Sequence, residues 1–250
     1  ETGQTLLSGM GELHLEVTLR RLKRDFGLDV LSGTPRVSYR ESVERSGEGA
    51  AEYDRVLGED RLFARIALHI ERTADVAAKP EFESELQPGR LPGAFLPAIR
   101  ESALNAADGG GAYGYPVTGI RIRLREADYA DAGQPEIALN SATSLAFREA
   151  LAAAGPVVLE PYGRLEVRVP EEFLGGVVKS LSQRRALVED TAFTRSAALI
   201  RGAVPIAEMF GYLTVLRSQT QGRGSFSLEP LDYRPLPRNL VDDGHERLFD

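Results

Sequence analysis

From residue 158 to residue 231 the apolar residues follow a succession of two periods, and that succession limits the fold more than any other feature of the chain. Leu165, Val167 and Val169 alternate with polar neighbours, as a strand with one buried face requires. Pro170, Glu171 and Glu172 then open a helix, where proline fits the first turn and carboxylates suit the positive end of the dipole. Phe173, Val177, Val178 and Leu181 would face inward on it, and Gln183-Arg184-Arg185 ends it. Strands follow near 186–193 and 197–204, then a helix over about 206–218, then a strand over 225–231. The order strand, helix, strand, strand, helix, strand predicts a ferredoxin-like βαββαβ sandwich.

Upstream, residues 38–157 read as a second α+β unit. Leu62, Ala64, Ile66, Leu68 and Ile70 alternate strongly, and Phe82, Ser84 and Leu86 weakly. Residues 96–107 are helical and stop at Asp108 and Gly109-Gly110-Gly111. Pro116 opens a further alternating strand with Val117, Ile120, Ile122 and Leu124, and an alanine-rich helix over 137–154 ends at Gly155-Pro156. The first 37 residues read as strand (5–8), helix and strand (28–31). The helix carries Leu13, Val17, Leu22 and Phe26, has Arg20, Arg21, Lys23 and Arg24 in its later turns, and closes at Gly27. Such a piece is half of an α/β sandwich, so the expectation is a fragment that starts inside a domain. The predicted organisation is 1–37 partial sandwich, 38–157, 158–236, and a flexible tail over 237–250.

Composition narrows the function. There is no cysteine, and His14, His69 and His245 lie far apart, so no metal site is expected. No apolar run reaches the roughly 18 residues of a membrane span, and the polar start carries no signal pattern, so no membrane partner is expected and the cytoplasm is the default compartment. Charge is uneven: residues 41–161 hold 12 basic and 20 acidic groups, whereas 162–224 hold 9 and 6. Any contact with nucleic-acid phosphate is therefore expected to be local to the second stretch. No GxxxxGK[ST] segment occurs. The run from Gly109 to Gly114 follows a helix and precedes a strand, the reverse of a nucleotide-binding turn. Glu208 and the histidines are not grouped with a nucleophile, so no catalytic residue is assigned.

Two strings are specific. Residues 8–16 read SGMGELHLE, and 204–224 read VPIAEMFGYLTVLRSQTQGRG. In the second, Met209, Phe210, Leu213 and Leu216 have core spacing, Gly211 permits close helix-to-sheet approach, and Arg217, Gln221 and Arg223 are either phosphate contacts or solvated surface. Arg184 and Arg185 either pair with phosphate or complement the end of their helix. In this order and about 200 residues apart, the strings resemble the C-terminal half of elongation factor G, a translational GTPase that moves tRNA and mRNA through the ribosome.

The resemblance covers about residues 1–237. It implies part of domain III, a domain IV with the ribosomal protein S5 domain 2-like fold, and a ferredoxin-like domain V. It implies that Met10, Glu12 and His14 face the protein's own GTPase domain near the fusidic acid pocket. It implies that Arg184, Arg185, Arg217, Gln221 and Arg223 lie toward large-subunit rRNA at the factor-binding centre. No cofactor is expected in this chain, GTP and magnesium belonging to the full-length family. Domain IV's tip loop, here 127–136 with Tyr129, Ala130, Asp131 and Gln134, would approach tRNA and mRNA at the decoding site. That tip departs from the family: Ala130 stands where a histidine is usual, and Gln134-Pro135 replaces a serine pair. A second tip loop, expected over 52–60, is acidic (EYDRVLGED) where the family is glycine-rich. A divergent paralogue is therefore expected, with translocation, subunit recycling and ribosome protection all open. A stand-alone RNA- or protein-binding module is the alternative, disfavoured by the absence of Trp and the scarcity of aromatics on the last strand.

Overall fold

The computed structural model describes residues 5–7, 9, 12–33, 35–58, 60–131, 134–194 and 196–241. They fall into two compact units, Glu1–Ser38 with Glu160–Arg234, and Tyr39–Leu159 with Pro235–Asp250. Helix α1 (Glu12–Phe26) begins the first of these. Gly27 (φ +67°) ends it in a left-handed cap, its N–H donating to Lys23 O at 3.1 Å while Leu28 N–H reaches Leu22 O at 3.3 Å. Residues 5–7 and 28–31, expected as strands, are irregular. A strand needs a neighbour for its backbone groups, and among the described residues neither stretch has one.

The unit built on Tyr39–Leu159 holds β1 (Arg40–Val43), β2 (Gly47–Leu57), β3 (Asp60–Arg72), β4 (Glu81–Ser84), α2 (Phe95–Asp108), β5 (Ile120–Tyr129) and α3 (Pro135–Ala154). Its sheet runs β2-β3-β5-β4, with β4 parallel to β5 and the other pairs antiparallel. Leu62, Ala64, Ile66, Leu68 and Ile70 are buried as their alternation requires. The start of β6 (Pro156–Val169) pairs with β1.

Strand β2 corrects the second tip loop: most of 52–60 is strand, and Gly58 (φ +68°) follows β2 before β3 begins at Asp60, residue 59 lying outside the described residues. The strand escapes a hydrophobic-pattern reading because its inward positions Gly47, Gly49 and Ala51 are small. A Cβ on Gly49 would lie 2.2 Å from Ala150 N, and one on Gly47 2.3 Å from Ala154 N. The buried alanines 138, 142, 146, 150 and 154 form one row on α3, four residues apart, so helix and strand backbones approach closely. The first tip loop is likewise shorter than expected. Residues 127–129 belong to β5 and 135–136 to α3, leaving 130–134, of which 132–133 lie outside the described residues.

In the other unit, the later part of β6, α4 (Leu174–Gln183), β7 (Leu187–Phe193), β8 (Ala198–Pro205), α5 (Tyr212–Gln219) and β9 (Ser225–Pro235) give the βαββαβ order. Strand β6 pairs with both β8 and β9, and β8 with β7. Leu165, Val167, Val177, Leu181, Ile200 and Leu216 are among the buried core of this sandwich. The second helix, expected over 206–218, is broken: a 3-10 turn (Ile206–Met209), extended Phe210 and left-handed Gly211 (φ +71°) precede α5. Strand β9 continues to Pro235, and 238–241 form a helical turn; the rest of the expected tail, 242–250, lies outside the described residues.

Candidate functional site

Helix α5 and the turn after it carry three of the expected contact residues. Arg217 is exposed in the last turn of α5. Thr220 is fully buried and holds the exit: its hydroxyl donates to Leu216 O at 2.7 Å and accepts from Gly224 N–H at 2.8 Å. Gln221 (φ +53°) and Gly222 (φ +79°) then reverse the chain, Gly222 N–H returning to Arg217 O at 2.8 Å. Gln221 is exposed at the apex. Arg223 lies with its guanidinium 4.8 Å from the centre of the Phe173 ring and donates to Glu172 at 2.5 Å. Its side chain remains about half exposed, and a solvent-facing ion pair of this kind is weak enough for a phosphate to displace the carboxylate.

Arg184 and Arg185 are placed differently. Arg185 (φ +59°) turns its guanidinium onto the buried Glu160 carboxylate, Nη1 and Nη2 donating to its two oxygens at 2.6 and 2.8 Å, and Nε donates to Glu208 Oε1 at 3.2 Å. The Glu160 hydrogen bonds hold the Arg185 guanidinium well above its ordinary pKa, so the cation is permanent. Arg184 donates to the main-chain carbonyl of Glu208 and lies over the Tyr212 ring, 5.1 Å from its centre. Tyr212 is fully buried, packs edge-on against Phe226 at 5.3 Å, and burial pushes its hydroxyl up to about 12. Both arginines thus meet internal partners, and they do not share the exposed surface of Arg217 and Gln221. Sequence reasoning alone does not single out Glu160, Glu172, Glu208 or Thr220 for these contacts. The available signal at Glu160 is a carboxylate inside the apolar run VVLEP, because buried charges are paired.

The tip residues lie in the other unit. Tyr129 closes β5, and its partly buried ring packs edge-on against Phe95 at 5.1 Å, beside the core. Ala130 N–H donates to Phe63 O at 2.9 Å, while Asp131 and Gln134 are exposed. Around them the charges are paired. Arg61 makes a two-pronged bond to Asp54 at 2.9 and 2.6 Å, Arg90 meets Asp128 at 2.9 Å, and Arg65 lies 3.8 Å from Glu52. The Arg61 guanidinium holds the Asp54 carboxyl below its usual range. At the start of the chain, His14 is exposed and its carbonyl accepts from Thr18 Oγ1 at 2.8 Å. Glu12 opens α1, and Met10 lies outside the described residues. Among the described residues no group of three or more His, Asp or Glu side chains could hold a metal ion.

Comparison with known proteins gives this arrangement a family. Models for "Elongation Factor G, domain III", "Elongation factor G, domain IV" and "Elongation factor G C-terminus" match residues 1–34, 35–155 and 157–244 in turn. Elongation factor G of Thermotoga maritima is 39% identical over 243 residues, which is 97% of this chain and 35% of that protein. Elongation factor G of Thermotoga petrophila is 38% identical over the same length and shares. A crystal structure of a protein from Thermus thermophilus matches all of this chain and 37% of its own, at 32% identity and a TM-score of 0.85. The chain therefore spans about a third of the length of the curated relatives it matches. Three consecutive domain matches on an α+β chain with a ferredoxin-like C-terminal sandwich place it in the elongation factor G family, as the domain IV and C-terminal portion with a stretch of domain III.

Proposed function

We propose that this chain is the ribosome-binding arm of an elongation factor G-like translational GTPase in the cytoplasm, whose GTP and magnesium are held elsewhere in the full protein. Its divisions would be 1–37, 38–157 and 158–236, followed by the tail. The observation that carries the reading is the arm formed by α5 and its exit turn. Two hydrogen bonds to Thr220 fix a backbone that presents Arg217, Gln221 and Arg223 on one exposed segment, within the one stretch where basic groups clearly exceed acidic ones. Guanidinium forks on a pre-formed turn suit the phosphate oxygens of large-subunit rRNA. His14, with Glu12 and Met10, would meet the GTPase domain.

Ribosome co-sedimentation at low and moderate salt tests the reading. The chain should pellet with ribosomes in a salt-sensitive manner, and Arg217→Glu with Arg223→Glu should abolish this. Equal binding by the double variant would remove rRNA contact from this arm.

The self-paired tip favours a paralogue whose domain IV is less engaged with tRNA and mRNA than a translocase requires. The Arg61–Asp54 and Arg90–Asp128 pairs are as exposed as Arg223–Glu172, so the difference is one of net charge: the tip lies in the stretch of 20 acidic against 12 basic groups, which repels phosphate where 162–224 attracts it. Recycling or ribosome protection is the reading this supports. Ordinary polypeptide synthesis driven by the full-length protein in place of a housekeeping factor would overturn it.

A further inference from the structure

The charged cluster after α4 lies behind the exposed arm. Arg185 occupies both oxygens of Glu160, whose side chain is 1% exposed, and reaches Glu208 with its third donor. Arg184 takes the main-chain carbonyl of the same Glu208 and covers the ring of Tyr212. Glu208 belongs to the 3-10 turn that leads into α5, and Tyr212 is the first residue of α5. Between them the chain passes through extended Phe210 and left-handed Gly211, a break that does not by itself fix the direction of the following helix. Two adjacent guanidiniums therefore grip the residue before the break and the ring just after it. At the far end, Thr220 locks the exit turn to the last turn of the same helix.

We propose that Arg184 and Arg185 are positioning residues. They hold the segment from α5 to Gly224 in the orientation that presents Arg217, Gln221 and Arg223 to rRNA, and make no phosphate contact themselves. This rests on the ribosome-binding reading above. The choice of arginine follows from the geometry: Nη1 and Nη2 make two side-by-side bonds to Glu160 while Nε reaches Glu208, whereas the three donors of an ammonium radiate from one nitrogen and cannot reproduce that planar spread. The left-handed backbone of Arg185, a conformation non-glycine residues rarely hold, is kept because these contacts over-determine it.

Positioning and direct contact predict opposite signs. If Arg185 bound phosphate, lysine would largely replace it, and Glu160→Gln or Glu208→Gln would free the guanidinium, add one positive charge and tighten binding. If Arg185 positions, all three substitutions weaken binding although two of them make the chain more basic. The test is co-sedimentation of the 250-residue chain with ribosomes over a salt series, combined with amide hydrogen exchange at Gly222 and Gly224. The expected result is about a tenfold loss of affinity for R185K and E160Q, the equivalent of one oriented arginine contact. E208Q, on a partly exposed side chain that need not unfold the sandwich, should show a smaller loss of the same sign, and it decides the matter if E160Q fails to fold. Exchange at Gly222 and Gly224 should quicken in the same variants. Wild-type binding by R185K, or tighter binding by E160Q or E208Q, overturns the positioning role while leaving the ribosome reading intact. Unchanged binding by the Arg217→Glu, Arg223→Glu chain overturns the positioning role by moving ribosome contact off this arm, and absence of binding by the unaltered chain overturns the ribosome reading itself.

Discussion

Glu41 illustrates how a single buried carboxylate organises a loop. It is fully buried, and Oε1 accepts from the backbone N–H groups of Tyr113 and Tyr115 at 2.9 Å each. The glycine-rich run from Gly109 to Gly114 is thereby wrapped around an acid. A Cβ on Gly111 would sit 2.3 Å from Oε2, so the absence of a side chain there makes room for the carboxyl. Glu41→Ala leaves two buried donors without their acceptor, and a loss of about 2 kcal/mol in urea unfolding is expected. Burial pushes the Glu41 carboxyl above its ordinary range, against the opposing pull of the backbone N–H groups. A folded-state value above the unfolded one means that the contribution to stability is complete below the ordinary carboxylate range. It is lost as pH rises through the raised value. Glu41→Gln does not titrate, so the stability difference should move in favour of the variant as pH rises from the ordinary carboxylate range toward neutrality. Urea midpoints that shift in parallel for both proteins across that range would rule this out.

At the scale of elements, the tightest fit is between β2 and α3. Gly49→Ala would force its Cβ to within 2.2 Å of Ala150 N, a backbone atom that cannot swing aside. The expected cost is about 3 kcal/mol, at the upper end for overpacking, with the helix pushed off the sheet. A Gly176→Ala control, at a glycine with nothing within 4 Å of the added Cβ, would separate that clash from the general effect of replacing glycine; an unchanged midpoint for Gly49→Ala would refute the packing account. The same contact explains what is legible in the sequence. β3, β5 and the later part of β6 bury branched side chains at alternate positions and are readable from alternation alone. β2 buries glycine and alanine, which carry no hydrophobic signal, so its sequence reads as a loop. Near the candidate site the limit is different. The exposed face of α5 is readable from helical period, but the inward turn of Arg184 and Arg185 depends on Glu160 and Glu208, about 25 residues away on either side. Pairings between distant charges leave no periodic trace.

Over the whole molecule, two separate hydrophobic clusters serve two electrostatically unlike halves. The stretch 41–161 holds 12 basic against 20 acidic groups, many already bound to one another across β3, β5 and β4, as Glu71, Arg121, Arg123 and Glu81 are. The stretch 162–224 holds 9 basic against 6 acidic. Binding to a phosphate lattice releases counterions in proportion to the phosphates neutralised, so the half that makes the contacts must carry the salt dependence. Two contacts, from Arg217 and Arg223, correspond to a log–log slope of about −1.5. A fragment of residues 156–241 should therefore compete with the whole chain for ribosomes and reproduce its slope, and one of residues 35–155 should not compete at roughly 50–200 mM salt, the range over which such contacts weaken. Arg217→Glu with Arg223→Glu should flatten the slope of the whole chain by nearly its full value. A slope that stays steep in that variant, or effective competition by the acidic fragment, would move the contact surface onto domain IV despite its internal ion pairs. It would then make displacement of carboxylates such as Asp54 and Asp128 the binding step to examine, because Arg61 and Arg90 could reach phosphate only by leaving them.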